Sequence, residues 1–252
     1  MKRIITFLAL ALVTEIPFFS AVGAALERTI YVTSDDGPLA GSENVMEIMI
    51  QNKVPVTMFM VGLHYDSSSD TIKQLVNKSR NSGFVEIANH SYSHANNHYR
   101  HFYHDLSYVI QDLEKNKSTL SLAHTAVTRL PGRDVFRLPK FKKDDPYISK
   151  SEDKIESVDD DAIYKHGFYL YGWDLEWAHD KHGKPIQSVQ KLVEQIEHKF
   201  HIQDTVLPNK LILLMHDEMF QDQFDGKTNL ALLIETLKKK NYKFDFIRNY
   251  NA

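Results

Sequence analysis

Seven short runs rich in β-branched and aromatic residues recur along this chain, and helix-period patterns fill five of the six gaps between them. The runs are Thr29–Ser34, Val54–Val61, Phe84–Ala88, Thr125–Leu130, Gly167–Trp173, Lys210–Met215 and Tyr242–Ile247. The helical patterns are Ser42–Lys53, with Val45, Met46 and Met49 on one stripe, then Asp70–Ser82, Leu106–Leu122, Ser188–His201 and Thr228–Lys240. Strands that alternate with helices become parallel neighbours joined by crossovers. An α/β fold with about seven parallel strands is expected, either a barrel or a doubly wound sheet.

The chain of 252 residues is long enough for one large α/β domain or two small ones. No repeat and no linker divides it, so residues 25–252 read as a single domain. The remaining gap holds a charged insertion at about 140–161, with Lys-Lys-Asp-Asp, Lys-Ser-Glu-Asp-Lys and Asp159-Asp160-Asp161, and reads as solvated. A net charge of −3 supplies no polycationic face, which argues against a nucleic-acid partner. Cysteine is absent, so disulfides and thiolate ligands are excluded and any metal falls to His, Asp or Glu. At the N-terminus, Lys2-Arg3, the apolar run Ile4–Val13 and the small residues Ala21–Ala25 read as a signal peptide over residues 1–24. Export to the periplasm or beyond is expected. Glu15 and Pro17 interrupt the apolar run, so no stable membrane span remains after signal removal. Oligomeric state has no readable signal.

Polar clusters sit at the carboxyl ends of the expected strands. Asp35-Asp36 follow the first, His90-Ser91-Tyr92-Ser93-His94 the third and Arg129-Leu130-Pro131-Gly132-Arg133 the fourth. Trp173-Asp174-Leu175-Glu176-Trp177 follows the fifth and His216-Asp217 the sixth. In parallel α/β architectures these ends gather on one face, where ligands bind. Solvated turns have no reason to prefer that end. If the chain turns helical after the third strand, His90 and His94 share a helix face and converge on one ion. With a carboxylate from TSDDGP they make three ligands, leaving a position for water as catalytic sites do. His98, His101 and His104 are taken as surface residues.

TSDDGP, NHSYSH, RLPGR, WDLEW and LLMHD, in this order from Thr33 to Asp217, resemble the five motifs of the polysaccharide deacetylase (NodB-homology) family, carbohydrate esterase family four. The resemblance implies an irregular (β/α) barrel and metal-dependent removal of acetyl groups from N-acetylated glycans. It also implies Asp35 as general base, Asp36, His90 and His94 as metal ligands, Arg129 as the residue orienting the base, and His216 as general acid. Leu214 would line the pocket for the acetyl methyl, and the Gly132 N–H would help stabilise the oxyanion. The metal would be Zn²⁺, although His₂Asp with water also suits Co²⁺ or Ni²⁺. Each role has a reason. A bound metal polarises the carbonyl and acidifies water, a neighbouring arginine favours an ionised carboxylate, and an amine leaves only when protonated.

The chain departs from the family pattern in several places. Ser34 stands where a phenylalanine is usual, and Gly132 where the third motif carries an aromatic side chain. Arg133 and Arg137 are read as solvated surface arginines, with an anionic substrate as the other possibility. In the fourth motif either Asp174 or Glu176 would support His216, and Trp173 or Trp177 would wall the substrate groove, with Glu176-Trp177 favoured. Asp217 and Glu218 are open to a reading as ordinary turn residues. Deacetylation of an N-acetylated polysaccharide is the leading expectation. An O-acetyl esterase using the same site, or a glycan-binding protein without turnover, are the alternatives, and the completeness of base, ligands, arginine and acid favours an enzyme.

Overall fold

The structure is a computed structural model that describes residues 27–123, 126–146 and 158–250. The expected signal peptide and the centre of the charged insertion lie outside the described residues.

All seven expected strands form, as β1 (Thr29–Asp35), β2 (Val56–Met60), β3 (Val85–Asn89), β4 (Ala126–Thr128), β7 (Phe168–Leu170), β9 (Lys210–His216) and β10 (Lys243–Phe244). Three short ones join them: β5 (Phe136–Leu138), β6 (Phe141–Lys143) and β8 (Leu175–Glu176). The sheet runs β6-β5-β7-β4-β3-β2-β1-β9-β8, with β10 on β1. Every pairing is parallel except β5 with β6 and β5 with β7, so an antiparallel hairpin ends an otherwise parallel, curled sheet. Among the described residues no pairing joins β6 to β8, so the barrel is open there and irregular.

The five expected helices are α1 (Ser42–Asn52), α3 (Asp70–Arg80), α5 (Leu106–Thr119), α7 (Val189–His201) and α8 (Gly226–Lys239). Three six-residue helices had too short a pattern to read: α2 (Gly62–Ser67), α4 (Tyr99–His104) and α6 (Asp160–Lys165). Among the described residues no helix is long and apolar enough to cross a membrane.

The central strands are buried on both faces, as parallel strands under a helical layer are. In β1, Ile30 and Val32 pack outward with Val45, Met49, Leu233 and Ile234 of the helices, while Tyr31 packs inward with Phe59, Ile212 and Tyr250. The two-residue period of a strand then sets the facing of the residues nearer its carboxyl end. Thr33 and Asp35 share the inner face with Tyr31, and Leu214 and His216 share it with Ile212. β1 and β9 run in register, so Asp35 and His216 are direct cross-strand neighbours at the mouth of the sheet.

The charged insertion departs from its reading on both described flanks. Arg137 is buried and binds Asp144 at 2.5 Å and Asp161 at 2.6 Å, with Asp160 at 3.7 Å. Asp159 caps α6 by accepting from the Ala162 N–H at 2.9 Å. On these flanks Asp144, Asp160 and Asp161 therefore serve as counter-charges to a buried guanidinium. Arg133 is buried as well, its guanidinium 4.1 Å from the centre of the Tyr103 ring. Neither arginine is a solvated surface residue.

Candidate active site

The strand ends converge on a cleft of about 260 Å³. Asp35, Asp36, His90, His94, Gly132, Trp173, Glu176, Leu214 and His216 all line it. Arg129 lies directly behind Asp35 and is fully buried.

Asp35 closes β1 on the inner face, and Asp36 follows with a left-handed backbone, φ 73°. The second carboxylate meets His90 and His94, while the first meets Arg129. The His64 ring on α2 holds the reversed peptide, its Nδ1 lying 2.6 Å from the Asp36 carbonyl. Beneath the loop, the buried Asp217 carboxylate accepts from the hydroxyls of Ser34 and Ser42. Burial pushes its pKa up to about 7, against the two serine bonds and with Asp36 and Asp35 adding to the rise. Asp217 opens a helical turn but is no solvated turn residue, and Ser34 stands where that carboxylate needs a donor. Gly37 fits over it because a Cβ there would clash with Asp217 Oδ2.

His90 and His94 converge, but not on a helix face. Ser91 has φ 64°, and His94 to Asn97 all have φ between 49° and 55°, a left-handed turn that L-residues adopt only when held there. Helix α5 supplies the hold. Asp112 accepts from the backbone N–H groups of Tyr92 (2.7 Å) and Ser93 (3.3 Å). One turn later Asn116 donates to the Asn89 side chain (2.8 Å) and the Met60 carbonyl (2.9 Å).

The ring tautomers follow from the partners. His90 Nδ1 faces the Arg129 carbonyl at 2.8 Å and His94 Nδ1 faces Asn97 Oδ1 at 3.1 Å, so both Nδ1 atoms donate and both Nε2 atoms present lone pairs. Those nitrogens lie 3.2 and 3.1 Å from Asp36 Oδ1, a buried oxygen without a hydrogen-bond donor. Burial pushes the Asp36 carboxyl up, but when the two rings carry protons their hydrogen bonds and charge outweigh burial and hold it well below the usual carboxylate range, so the three groups compete for protons or share a cation. For His94, burial lowers the pKa while Asp36 raises it, with a net rise. Three acceptors meeting at one point, all within 4.8 Å of one another, form the donor set of a divalent cation. The residues present therefore fit a His₂Asp metal site.

Arg129 donates from Nη1 to Asp35 Oδ1 (2.8 Å) and Thr33 Oγ1 (2.9 Å), from Nη2 to the Gly172 carbonyl (2.9 Å), and from Nε to the Tyr171 carbonyl (3.1 Å). The guanidinium stacks 4.3 Å from the Phe59 ring centre. These bonds fix the guanidinium, which in turn holds Asp35 Oδ1, and the other carboxylate oxygen lies 3.7 Å from His90 Nε2.

Two fourth-motif residues lie elsewhere. Asp174 accepts from the N–H groups of Val206 (2.5 Å) and Ile212 (2.7 Å), fastening β8 to β9, and burial pushes its pKa up to about 6. It has no bond to His216. Trp177 is 1% exposed and packs edge-on against Phe220 in the outer core, its indole N–H bound to the Gln187 carbonyl at 2.9 Å. Trp173 lines the cleft. Glu176 reaches the cleft, yet His216 Nδ1 is buried without a hydrogen-bond partner. Tyr99 and Asp134 line the cleft unanticipated. A Cβ on Gly132 would lie 3.5 Å from the Tyr99 ring, so a tyrosine from α4 fills the space beside that glycine. Asp134 extends the third motif by one residue and accepts from the Trp173 N–H at 3.1 Å. His98, His101 and His104 are exposed, as expected.

The polysaccharide deacetylase sequence profile matches residues 23–153, just over half of the chain. The chain belongs to the polysaccharide deacetylase family. Among curated relatives of this deacetylase, a chitin disaccharide deacetylase of Vibrio alginolyticus is 23% identical, covering 88% of this chain and 71% of that protein. The putative polysaccharide deacetylase YheN of Bacillus subtilis is 25% identical, covering 88% and 68%. Solved structures share the fold. The catalytic domain of a peptidoglycan N-acetylglucosamine deacetylase from Eubacterium rectale superimposes with a TM-score of 0.63 at 19% identity, covering 91% of this chain and 95% of that one. A Streptococcus mutans carbohydrate esterase of family four gives 0.62 at 16% identity, covering 88% and 86%.

Proposed function

We propose that this deacetylase is a metal-dependent hydrolase removing N-acetyl groups from a cell-wall or extracellular polysaccharide, acting outside the cytoplasm. The observation that carries the reading is the meeting of His90 Nε2, His94 Nε2 and the donor-less Asp36 Oδ1 beside an Asp35 clamped by a buried arginine. N-acetyl rather than O-acetyl chemistry is supported by relatives named for chitin disaccharide and peptidoglycan N-acetylglucosamine.

Asp36, His90 and His94 would hold the ion, most simply Zn²⁺, with Co²⁺ or Ni²⁺ also suited to the donor set. Once bound, the metal would polarise the acetyl carbonyl and acidify the attacking water. Asp35 takes that water's proton, and Arg129 keeps the carboxylate aimed at it. The Gly132 N–H meets the charge that develops on the carbonyl oxygen. Leu214, on the inner face of β9, receives the acetyl methyl. His216, on the same cleft and adjacent to Asp35 in register, gives its proton to the leaving amine so that the C–N bond can break. Trp173 and Tyr99 form the walls against which a sugar ring packs.

The test is acetate release by the purified mature protein from a panel of N- and O-acetylated glycans, after chelation and after Zn²⁺ is returned. Release from N-acetylated glycans that vanishes on chelation and returns with Zn²⁺ is expected. Preferential release from O-acetylated glycans would move the reading to an esterase. Stoichiometric metal with no release from any glycan would move it to binding without turnover.

A further inference from the structure

Among the described residues no carboxylate hydrogen-bonds to the ring of His216, the proposed proton donor. His216 Nδ1 is buried and unpartnered, Asp174 is committed to two backbone amides, and no bond joins Glu176 to the ring. A second imidazole lies against His216 instead. The His179 ring packs on it edge-to-face, with centroids 4.7 Å apart and planes inclined by 69°.

His179 is itself held. Its Nδ1 is 2.8 Å from the Asp180 carbonyl and 3.2 Å from Glu218 Oε1. Both are acceptors, so Nδ1 carries the proton and the ring cannot swing away without losing two partners. The loop that presents it is closed by many bonds. Asp180 Oδ1 accepts from the N–H groups of His182 (2.8 Å) and Lys184 (3.1 Å), and Gln187 clamps Ala178 N–H at 2.9 Å. The buried Trp177 anchors the loop's root in the core. At its tip Gly183 has φ +81°, and a Cβ there would come 3.2 Å from both the Cγ and the carbonyl oxygen of Glu218. The loop therefore leans on the residue two places after His216, and its shape delivers one imidazole onto another.

We infer that His179, braced by Glu218, is a positioning residue for His216, fixing the donor ring by packing where a carboxylate would fix it by hydrogen bonding. The inference rests on the reading of His216 as proton donor. A histidine donor works only when its Nε2 points at the departing atom, and an unbraced ring is free to rotate about its side-chain bonds. Ring-on-ring packing restricts that rotation while leaving Nε2 for the substrate.

The experiment compares an N-acetylated glycan, whose amine leaves only when protonated, with an aryl acetate, whose phenolate leaves without help. His179→Ala is expected to lower kcat on the glycan by roughly 10- to 100-fold, a part of the ~100- to 10,000-fold that a proton donor supplies. KM, bound metal and aryl acetate turnover should stay within about threefold. His179→Phe, which keeps a ring against His216, should restore most of the glycan activity, and Glu218→Gln should fall between the two. Unchanged glycan turnover in His179→Ala, equal losses on both substrates, or no rescue by phenylalanine would each overturn the inference. His216→Ala separates the underlying reading. If its losses on amide and aryl ester are equal, His216 is not the donor and both ideas fall; if the amide loss is far larger, the outcome for His179 stands alone.

Discussion

Asp35→Asn separates the two halves of the candidate site. Asn keeps the shape of the side chain, and its oxygen can still accept from Arg129 Nη1, but it cannot take a proton from water. Loss of a general base costs about 10²- to 10⁴-fold in kcat, which is roughly 3–5 kcal/mol on the barrier. The structural effect can be worked separately. Arg129 is wholly buried, and Asp35 is the one carboxylate among its hydrogen-bond partners. Breaking a buried ion pair by removing one partner costs about 3–5 kcal/mol. The retained hydrogen bond offsets about 1 kcal/mol of that. A net loss of about 2–4 kcal/mol lowers Tm by on the order of 10 °C in a chain of this length. Bound Zn²⁺ should remain near one per chain, because Asp36, His90 and His94 are untouched. The assay is therefore threefold: acetate release at saturating substrate, metal content by atomic emission, and thermal unfolding of the metal-loaded protein. A variant that keeps its metal and works within tenfold of the parent would refute Asp35 as base. A variant with unchanged Tm would refute the claim that Arg129 depends on this charge.

Other outcomes come from the same geometry. His94→Ala removes one of the three converging ligands, so stoichiometric Zn²⁺ binding and acetate release should be lost together, as titration calorimetry and the activity assay would show; retained tight binding would contradict the ligand set. Asp174 has a folded-state pKa raised to about 6 from 3.8 by burial. Its contribution to stability is therefore fully present below about pH 4 and is lost as pH rises through 6. Asp174→Asn should flatten the fall in denaturation midpoint between pH 4 and 7, a change on the order of 3 kcal/mol; an unaltered slope would show that the carboxyl is ionised throughout.

The strand framework and the catalytic-face residues were legible in the sequence because parallel topology puts strand ends on one side and a two-residue period decides which side chains point in. That logic reaches Asp35, Leu214 and His216 directly. It also separates Glu176 from Trp177, one facing Leu214 and the other the helical shell, but only once β8 is recognised, and two residues are too few to show a period. The turn carrying His94 was not legible. The stretch that leads into it is held by Asp112 and Asn116, residues of a helix whose own pattern shows nothing of what it grips. Ser34 was visible as a departure without a cause, because its partner Asp217 is distant in the chain. His179, His64 and Tyr99 reach the site from loops and short helices that no periodicity marks.

The register of β1 with β9 has a consequence for assembly. Asp36, His90 and His94 all come from the run β1-β2-β3 and the turns that follow those strands, a stretch contiguous in sequence and in the sheet. His216 arrives only when the ninth strand docks along β1, closing a loop of some 180 residues, whose entropy makes it a late event. On the roles proposed above, an emerging chain would bring together its candidate cation ligands before His216 joins them. If these residues act as proposed, capture of the ion and onset of turnover would be separated along the polypeptide.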